Sequence, residues 1–120
     1  MNIEEYRDYC LKKKGTTESI PFPNLPETLV FKVEGKMFAA TNINTFASFS
    51  VRCSPETVDE LRAQYPAVKE PSYFSKKHWS RIELDGSIPD NVLCEFLDIS
   101  YKIAVSKLPK KVRIQLMGEQ

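Results

Sequence analysis

Glycine is scarce in this sequence, and its four glycines stand far apart. They are Gly15, Gly35, Gly86 and Gly118. A phosphate-binding loop needs glycines close together, because the backbone itself has to approach the phosphate groups. Neither a dinucleotide-binding fingerprint nor a P-loop can therefore be built from this chain.

Histidine and paired cysteines are lacking as well. His78 is the single histidine, and the three cysteines at 10, 53 and 94 are widely spaced, with no Cys-x-x-Cys pair. Structural zinc ligands normally come in close pairs, so we expect no metal site, and we expect no cofactor. A Cys53 thiolate activated by His78 is the only conceivable nucleophile pair, and it needs an orienting third group that the sequence does not reveal. We therefore expect a protein without enzyme activity, in which Cys53 is a small buried hydrophobic residue.

Long apolar runs and an excess of one charge are also absent. No stretch approaches the roughly 20 apolar residues that cross a bilayer, and Met1 leads into the polar segment 2–8 rather than into a signal-peptide core. Lys and Arg number 17 against 16 Asp and Glu, and the pI of about 7.7 is below the value of roughly 9 that marks a dedicated DNA-binding domain. We expect a cytoplasmic protein with reduced thiols, and a monomer in preference to an oligomer.

The residues that are present predict one α+β domain over 1–120. An apolar content of 42% in 120 residues can supply a single core. A first helix is predicted from a cap at Asn2, with Glu5 at the capping-box position, to Gly15. Three prolines between Thr16 and Pro26 favour an extended connector. Alternating apolar residues then predict strands over 28–33, 36–41 and 46–53, with a tight turn at Glu34-Gly35.

The second half of the chain predicts two more strands between two helices. Ser54-Pro55 is typical of a helix start, and Pro66 ends that helix. Residues 71–74 and 78–84 resemble strands, and Ser87 with Asp90 predicts a capped last helix that reaches Leu108. Its main apolar row is Val92, Phe96, Ile99 and Ile103, widened by Leu93, Leu97 and Ala104. The tail 110–120 alternates and is predicted to be an edge strand or a loose end.

One stretch combines positive charge with aromatic character. Residues 76–81 read Lys-Lys-His-Trp-Ser-Arg, a combination that contacts phosphates and stacks on bases. The alternative is that Trp79 anchors a strand to the core while the lysines solvate a turn. A second basic cluster at 107–113 is most simply a helix end and a solvated tail. The candidate nucleic-acid-binding residues are Lys36, Arg52, Lys76, Lys77, His78, Trp79 and Arg81.

Three groups of residues resemble the MmcQ/YjbR family, and they cover nearly the whole chain in the right order. The first is the run at 35–39, Gly-Lys-Met-Phe-Ala. The second is the run 76–79 followed by Leu84-Asp85-Gly86 and Pro89, and the third is Ser100-Tyr101 leading to Leu108-Pro109-Lys110. Phe74-Ser75 departs from the pattern, because many members carry His and Asn there, and this departure weakens the case for a polar pocket at that point.

The resemblance implies the element order α-β-β-β-α-β-β-α, with an antiparallel sheet packed by helices as in CyaY and the secretion chaperones. It also implies a non-enzymatic protein. The family's DNA-binding label rests on likeness to double-wing domains such as that of the phage transcription factor MotA, and likeness of fold transfers function poorly. The family motifs fall here on Gly35 and Lys36, on Lys76, His78 and Trp79, and on Ser100 and Tyr101.

Two functions from different classes follow. The first is a DNA-binding protein that contacts phosphates through the basic aromatic strand. The second is a protein-interaction or chaperone-like adaptor that captures a partner on its sheet face or on its tail. A third interpretation, a thiol enzyme that uses Cys53, predicts selective alkylation of that cysteine.

Overall fold

The computed structural model describes residues 1–118 as an α+β domain with four helices and one six-stranded sheet. The helices are α1 (Ile3–Leu11), α2 (Val58–Gln64), α3 (Asp90–Ser106) and α4 (Lys110–Met117). The strands are β1 (Thr16–Ser19), β2 (Thr28–Val33), β3 (Lys36–Asn42), β4 (Ser48–Arg52), β5 (Val68–Lys69) and β6 (Trp79–Glu83). Their order in the sheet is β1-β2-β3-β4-β6-β5, and every neighbouring pair is antiparallel. The predicted fold class is confirmed.

One face of the sheet carries the hydrophobic core. The strand register places Phe31, Ala39 and Val51 beside one another on that face, and all three are buried. Each of the four helices packs apolar side chains into the same core cluster. The opposite face of the sheet is only partly open, because Val30 and Trp79 on that face are also buried.

The first helix and the first hairpin begin as the sequence predicts. The Asn2 side chain accepts from the backbone of Glu5, and the Glu5 carboxylate accepts from the backbone of Asn2, so the capping box is complete. Glu34 and Gly35 both have positive φ, at 47° and 85°. Positive φ at both central residues is the conformation that a two-residue hairpin turn requires, and glycine adopts it without steric cost.

A polar cluster joins α1 to α3. The Tyr9 hydroxyl donates to the Asp98 carboxylate at 2.7 Å, and the Lys13 ammonium pairs with the same carboxylate. The Lys13 ammonium also lies 4.7 Å from the centre of the Tyr9 ring and 5.4 Å from that of Tyr101. Partial burial raises the pKa of Asp98, but the hydrogen bonds from Lys13 and Tyr9 outweigh it and hold that pKa below its ordinary value.

Ser100 joins α3 to two strands at once. Its hydroxyl donates to the carbonyl of Phe38 in β3 and accepts from the amide of Arg52 in β4, at 2.7 Å for the second bond. The paired residues of β3 and β4 run from Thr41–Phe49 to Ala39–Val51, so the hydroxyl bridges the strands just beyond the last of these pairs. The side chain is fully buried, and this bridge explains why a polar residue stands on the core side of the helix.

Three predicted elements differ from the observed ones. The connector over 16–26 begins with an edge strand, β1, because the prolines start only at Pro21. Residues 71–74 form no strand, and the short strand that pairs with β6 is β5 at 68–69. The predicted tail strand is the helix α4, with Leu116 buried in the core and Val112 packed against it. Residues four apart share a helix face, so the apolar positions 112 and 116 suit a helix as well as a strand. Residues 119–120 of the predicted tail lie outside the described part of the chain.

Helix boundaries and the buried face of α3 also differ from prediction. Ser54 begins a turn, and α2 starts at Val58 after Thr57. Ser87 donates to the Asp85 carboxylate in a turn instead of capping α3, which starts after Pro89. In α3 the fully buried positions are Leu97, Ser100 and Ala104, whereas Ile99 is 51% exposed. The prediction is partly right, because Phe96, Leu93, Leu97 and Ala104 of the predicted row are buried. It misses Ser100, because a hydroxyl residue gives no apolar signal.

Candidate functional site

The face of the sheet away from the helices carries a row of small side chains. The register aligns Val30, Ala40, Ser50 and Arg81 across β2, β3, β4 and β6. Because the side chains in the middle of this row are short, the face is depressed there, and the depression opens to solvent. We call this depression, with the two loops beside it, the open-face groove.

The open-face groove has a volume of about 530 Å³ and is bounded by loops. Phe22 and Leu25 come from the segment between β1 and β2, and Tyr73 and Phe74 come from the segment between β5 and β6. The Tyr73 side chain is largely unburied, with 76% of its surface exposed. Apolar and aromatic walls with a few polar groups are typical of a binding pocket for a small planar group.

Arg81 supplies positive charge to the groove. One terminal nitrogen of its guanidinium donates to the Glu83 carboxylate at 3.1 Å. Its Nε atom is buried, and no residue within 1–118 accepts a hydrogen bond from it. Because that atom is closed off from solvent, the part of Arg81 that can meet a ligand carboxylate or phosphate is the exposed portion of its side chain, which is 34% exposed.

Arg52 and Trp79 form a stacked unit beside Arg81. The Phe74 ring stacks on the indole of Trp79 at 4.5 Å, and the Arg52 guanidinium lies 4.9 Å from the centre of the same indole. Arg52 also donates from Nε to the carbonyl of Met37 at 2.5 Å. Burial lowers the pKa of Arg52, but a guanidinium group remains charged at neutral pH.

The same register makes the two arginines neighbours. Arg52 stands opposite Trp79, and Arg81 stands opposite Ser50, so the arginines are diagonal neighbours on one face. Such neighbours lie about 7–8 Å apart at their Cα atoms. The sheet therefore brings two of the predicted cations together, as the phosphate-contact hypothesis requires.

Trp79 lies where the anchoring interpretation of its sequence context places it. Only 5% of its surface is exposed, because Phe74 and Arg52 cover the indole. The ring is therefore not available to stack on a nucleobase. The structure supports the alternative interpretation, in which Trp79 is an anchor, and here it positions a guanidinium and one wall of the groove.

The remaining predicted cations divide into two groups. Lys76, Lys77 and His78 are exposed in the turn that precedes β6, and the Lys76 ammonium lies 3.2 Å from the Glu70 carboxylate. Arg62 of α2 fixes this turn by donating to the carbonyls of Lys76 and Trp79. Lys36 is paired with Val33, a residue of the helix-covered face, so Lys36 does not join the others.

Cys53 lies in an environment that suppresses thiol reactivity. It is buried, with 6% of its surface exposed, and its Sγ lies 3.5 Å from the Ser80 hydroxyl. Burial raises the pKa of this thiol, so the nucleophilic thiolate is rare at neutral pH. The His78 contact to Cys53 runs through the backbone, where the Cys53 amide donates to the His78 carbonyl, and this geometry favours the structural interpretation of the thiol.

Residues 1–118 contain neither a cluster of metal ligands nor a membrane-spanning helix. There, no three side chains of the His, Cys, Asp and Glu types converge as metal ligands. No helix in the described range has the length and apolarity to cross a membrane.

Sequence reasoning missed most of the groove. Phe22, Leu25, Tyr73 and Ser50 line it, yet none was a candidate residue. Phe22 lies between two prolines, and Tyr73 lies two residues after Pro71. Aromatic residues in such irregular segments were the available signal. The convergence of two loops from distant parts of the chain needs the tertiary structure.

Comparison with known proteins gives consistent matches over most of the chain. The YjbR family model matches residues 11–103. The protein YjbR of Escherichia coli K12 is 35% identical over 114 residues, which cover 94% of this chain and 95% of that protein. A crystal structure of a Deinococcus radiodurans protein has a TM-score of 0.88 at 32% identity, and the match covers 97% of this chain and 88% of that one. A Pseudomonas syringae protein has a TM-score of 0.72 at 23% identity, covering 87% and 99% of the respective chains, and shows likeness of fold alone.

Proposed function

The chain belongs to the YjbR family, and from the geometry of its open sheet face we propose that it binds single-stranded DNA without catalysing a reaction. The observation that carries this proposal is the open-face groove, where the partly exposed side chain of Arg81 and the exposed ring of Tyr73 line the same depression. Phosphate and base are the two chemical groups that such neighbours bind. The groove thus combines the two contacts on which single-strand binding depends.

A single strand suits this face better than a duplex. Unpaired bases expose planar surfaces that stack on aromatic side chains, whereas a duplex hides them. The aromatic residues of the groove stand on loops above a sheet. The near-neutral charge of the chain also disfavours the broad phosphate contact that non-specific duplex binding needs.

The phosphate contacts are expected at the arginine pair and at the adjoining turn. Arg52 and Arg81 share the open face, and Lys76 and Lys77 are exposed at its end. Each contact with a single strand contributes roughly 0.7 to the slope of log affinity against log salt, so four contacts give a slope of roughly −3. Glu70 and Glu83 already pair with two of these cations, and we therefore expect modest affinity.

The test is fluorescence anisotropy of a labelled oligothymidine and of a duplex of equal length, at two salt concentrations. The wild-type protein should bind the single strand more tightly, and Arg81→Gln should weaken binding and lower the salt slope by roughly 0.7. Lys102→Gln is the matched control, because Lys102 is exposed on α3 at the helix-covered face. Absence of binding at low salt, or equal losses in both variants, would refute the proposal.

The adaptor hypothesis offers two surfaces, the sheet face and the tail, and only the sheet face is also the surface of this proposal. Capture of a partner on the tail is disfavoured, since Leu116 of α4 is buried in the core. Removing residues 110–120 would therefore expose that core and would not isolate a docking site. An extended peptide on the open face remains the competing occupant, and it would compete with oligothymidine without any need for phosphate.

A further inference from the structure

The open-face groove is bounded rather than continuous, and this shape limits what one site can hold. Phe22 and Leu25 come from the segment between β1 and β2, at one end of the sheet order, and Tyr73 and Phe74 come from the segment between β5 and β6, at the other end. A volume of about 530 Å³ falls in the range of pockets for small molecules. The groove is thus of a size for one planar group with its substituent.

Its polar groups are few and positioned at distinct points. The Asn42 side-chain oxygen accepts from the amides of Asn44 and Thr45, which fixes the amide group with its nitrogen as a remaining donor. The Ser50 hydroxyl lies on the floor, where it can donate or accept. The partly exposed side chain of Arg81 adds a positive charge to the lining.

These groups complement an anion attached to a planar base. The donors at Arg81 suit a phosphate oxygen, because charged hydrogen bonds between arginine and phosphate are among the strong ones. The apolar walls suit the faces of a base, and the Asn42 amide and Ser50 hydroxyl suit its polar edge. A plain hydrocarbon would leave the arginine unsatisfied, and inorganic phosphate alone would leave the apolar walls empty.

We propose that the open-face groove holds a single unpaired nucleotide, with its base between the loop walls and its phosphate at Arg81. This inference rests on the proposed binding of single-stranded DNA and adds that one nucleotide of the strand is held in the open-face groove. It follows that a free nucleoside monophosphate occupies the same groove. A strand end or a bulge would then be bound more tightly than the interior of a stacked strand.

The experiment compares intact and dissected nucleotides by isothermal titration calorimetry on the full chain. The probes are thymidine monophosphate, thymidine, and deoxyribose 5-phosphate. The monophosphate should bind at least about fivefold more tightly than either fragment, because each fragment lacks one of the two contacts. Equal binding of the monophosphate and the sugar phosphate would overturn the inference, since the base would then contribute nothing.

Two variants locate the binding. Tyr73→Ala should weaken the monophosphate at least about fivefold, the loss expected for one aromatic stack, and Tyr73 is exposed enough that folding is unaffected. Ile99→Ala is the control, because Ile99 is an exposed apolar residue on α3. Ser50→Phe fills the groove floor and should abolish binding, with a thermal melt to show that the variant folds. Unchanged affinity in Tyr73→Ala and in folded Ser50→Phe would overturn the proposed location.

An oligothymidine with one abasic position separates this inference from the proposed function. If the oligonucleotide binds but neither removal of a base nor addition of the monophosphate affects it, the pocket is refuted while single-strand binding stands. If the monophosphate binds and the oligonucleotide does not, single-strand binding is refuted, and the groove is a site for free nucleotides.

Discussion

Ser100→Ala tests the packing that positions the open face. The substitution removes a fully buried hydroxyl that bridges the Phe38 carbonyl and the Arg52 amide. Leaving a buried donor without a partner costs about 1–3 kcal/mol, and the better helix propensity of alanine returns about 0.5 kcal/mol. We expect a net loss of about 0.5–2.5 kcal/mol in the free energy of unfolding.

Urea denaturation followed by circular dichroism measures this loss. The midpoint should fall while the slope of the transition is unchanged, because the surface exposed on unfolding stays the same. Ser106→Ala is the matched control on the same helix, since that exposed hydroxyl donates only to the local carbonyl of Ile103, and it should change stability by less than about 0.5 kcal/mol. If the two variants lose the same stability, the bridging role assigned to Ser100 is refuted.

Three further predictions concern charge, thiols and the last helix. Asp98→Asn should destabilise the protein at neutral pH, because the folded Asp98 carboxyl has a lowered pKa. The stabilisation that this lowered pKa represents is present above the ordinary pKa of about 3.9 and is lost as the pH falls through the folded pKa. Urea melts of the variant and of the wild-type protein should therefore converge in acid. With a thiol reagent at neutral pH, Cys53 should react more slowly than the less buried Cys94, and faster labelling of Cys53 would contradict its protected environment. Gly15→Ala should cost about 1 kcal/mol or more, because φ is 76° and the added Cβ would lie 2.4 Å from Leu116; thermal melts should show a smaller cost in a Leu116→Ala background.

The sequence was most informative where local and tertiary preferences agree. The Asn2 cap and the Glu34-Gly35 turn have short-range signatures, and both are confirmed. The tail was predicted wrongly because Val112 and Leu116 satisfy an alternating pattern and a helical one equally well. Docking of Leu116 over Gly15 is a contact between the two ends of the described chain, and no local pattern contains it.

The candidate site was only partly predictable, because it too depends on contacts between distant parts of the chain. Arg52, Trp79 and Arg81 came together because the antiparallel register of β4 and β6 places them on one face. The burial of Trp79 depends on Phe74, which lies in a segment predicted to be a strand. The groove depends on two loops whose meeting requires the whole sheet, so its aromatic walls had no signal in sequence spacing.

If DNA binds as proposed, it contacts the open sheet face and not the helix-covered face. The most direct measurement is a titration of nitrogen-15-labelled protein with oligothymidine, followed by two-dimensional NMR of the backbone amides. The largest shifts should occur at Ala40, Ser50, Tyr73 and Arg81, with small shifts along α1 and α3. Shifts concentrated on those two helices, or no shifts at low salt, would contradict the proposal.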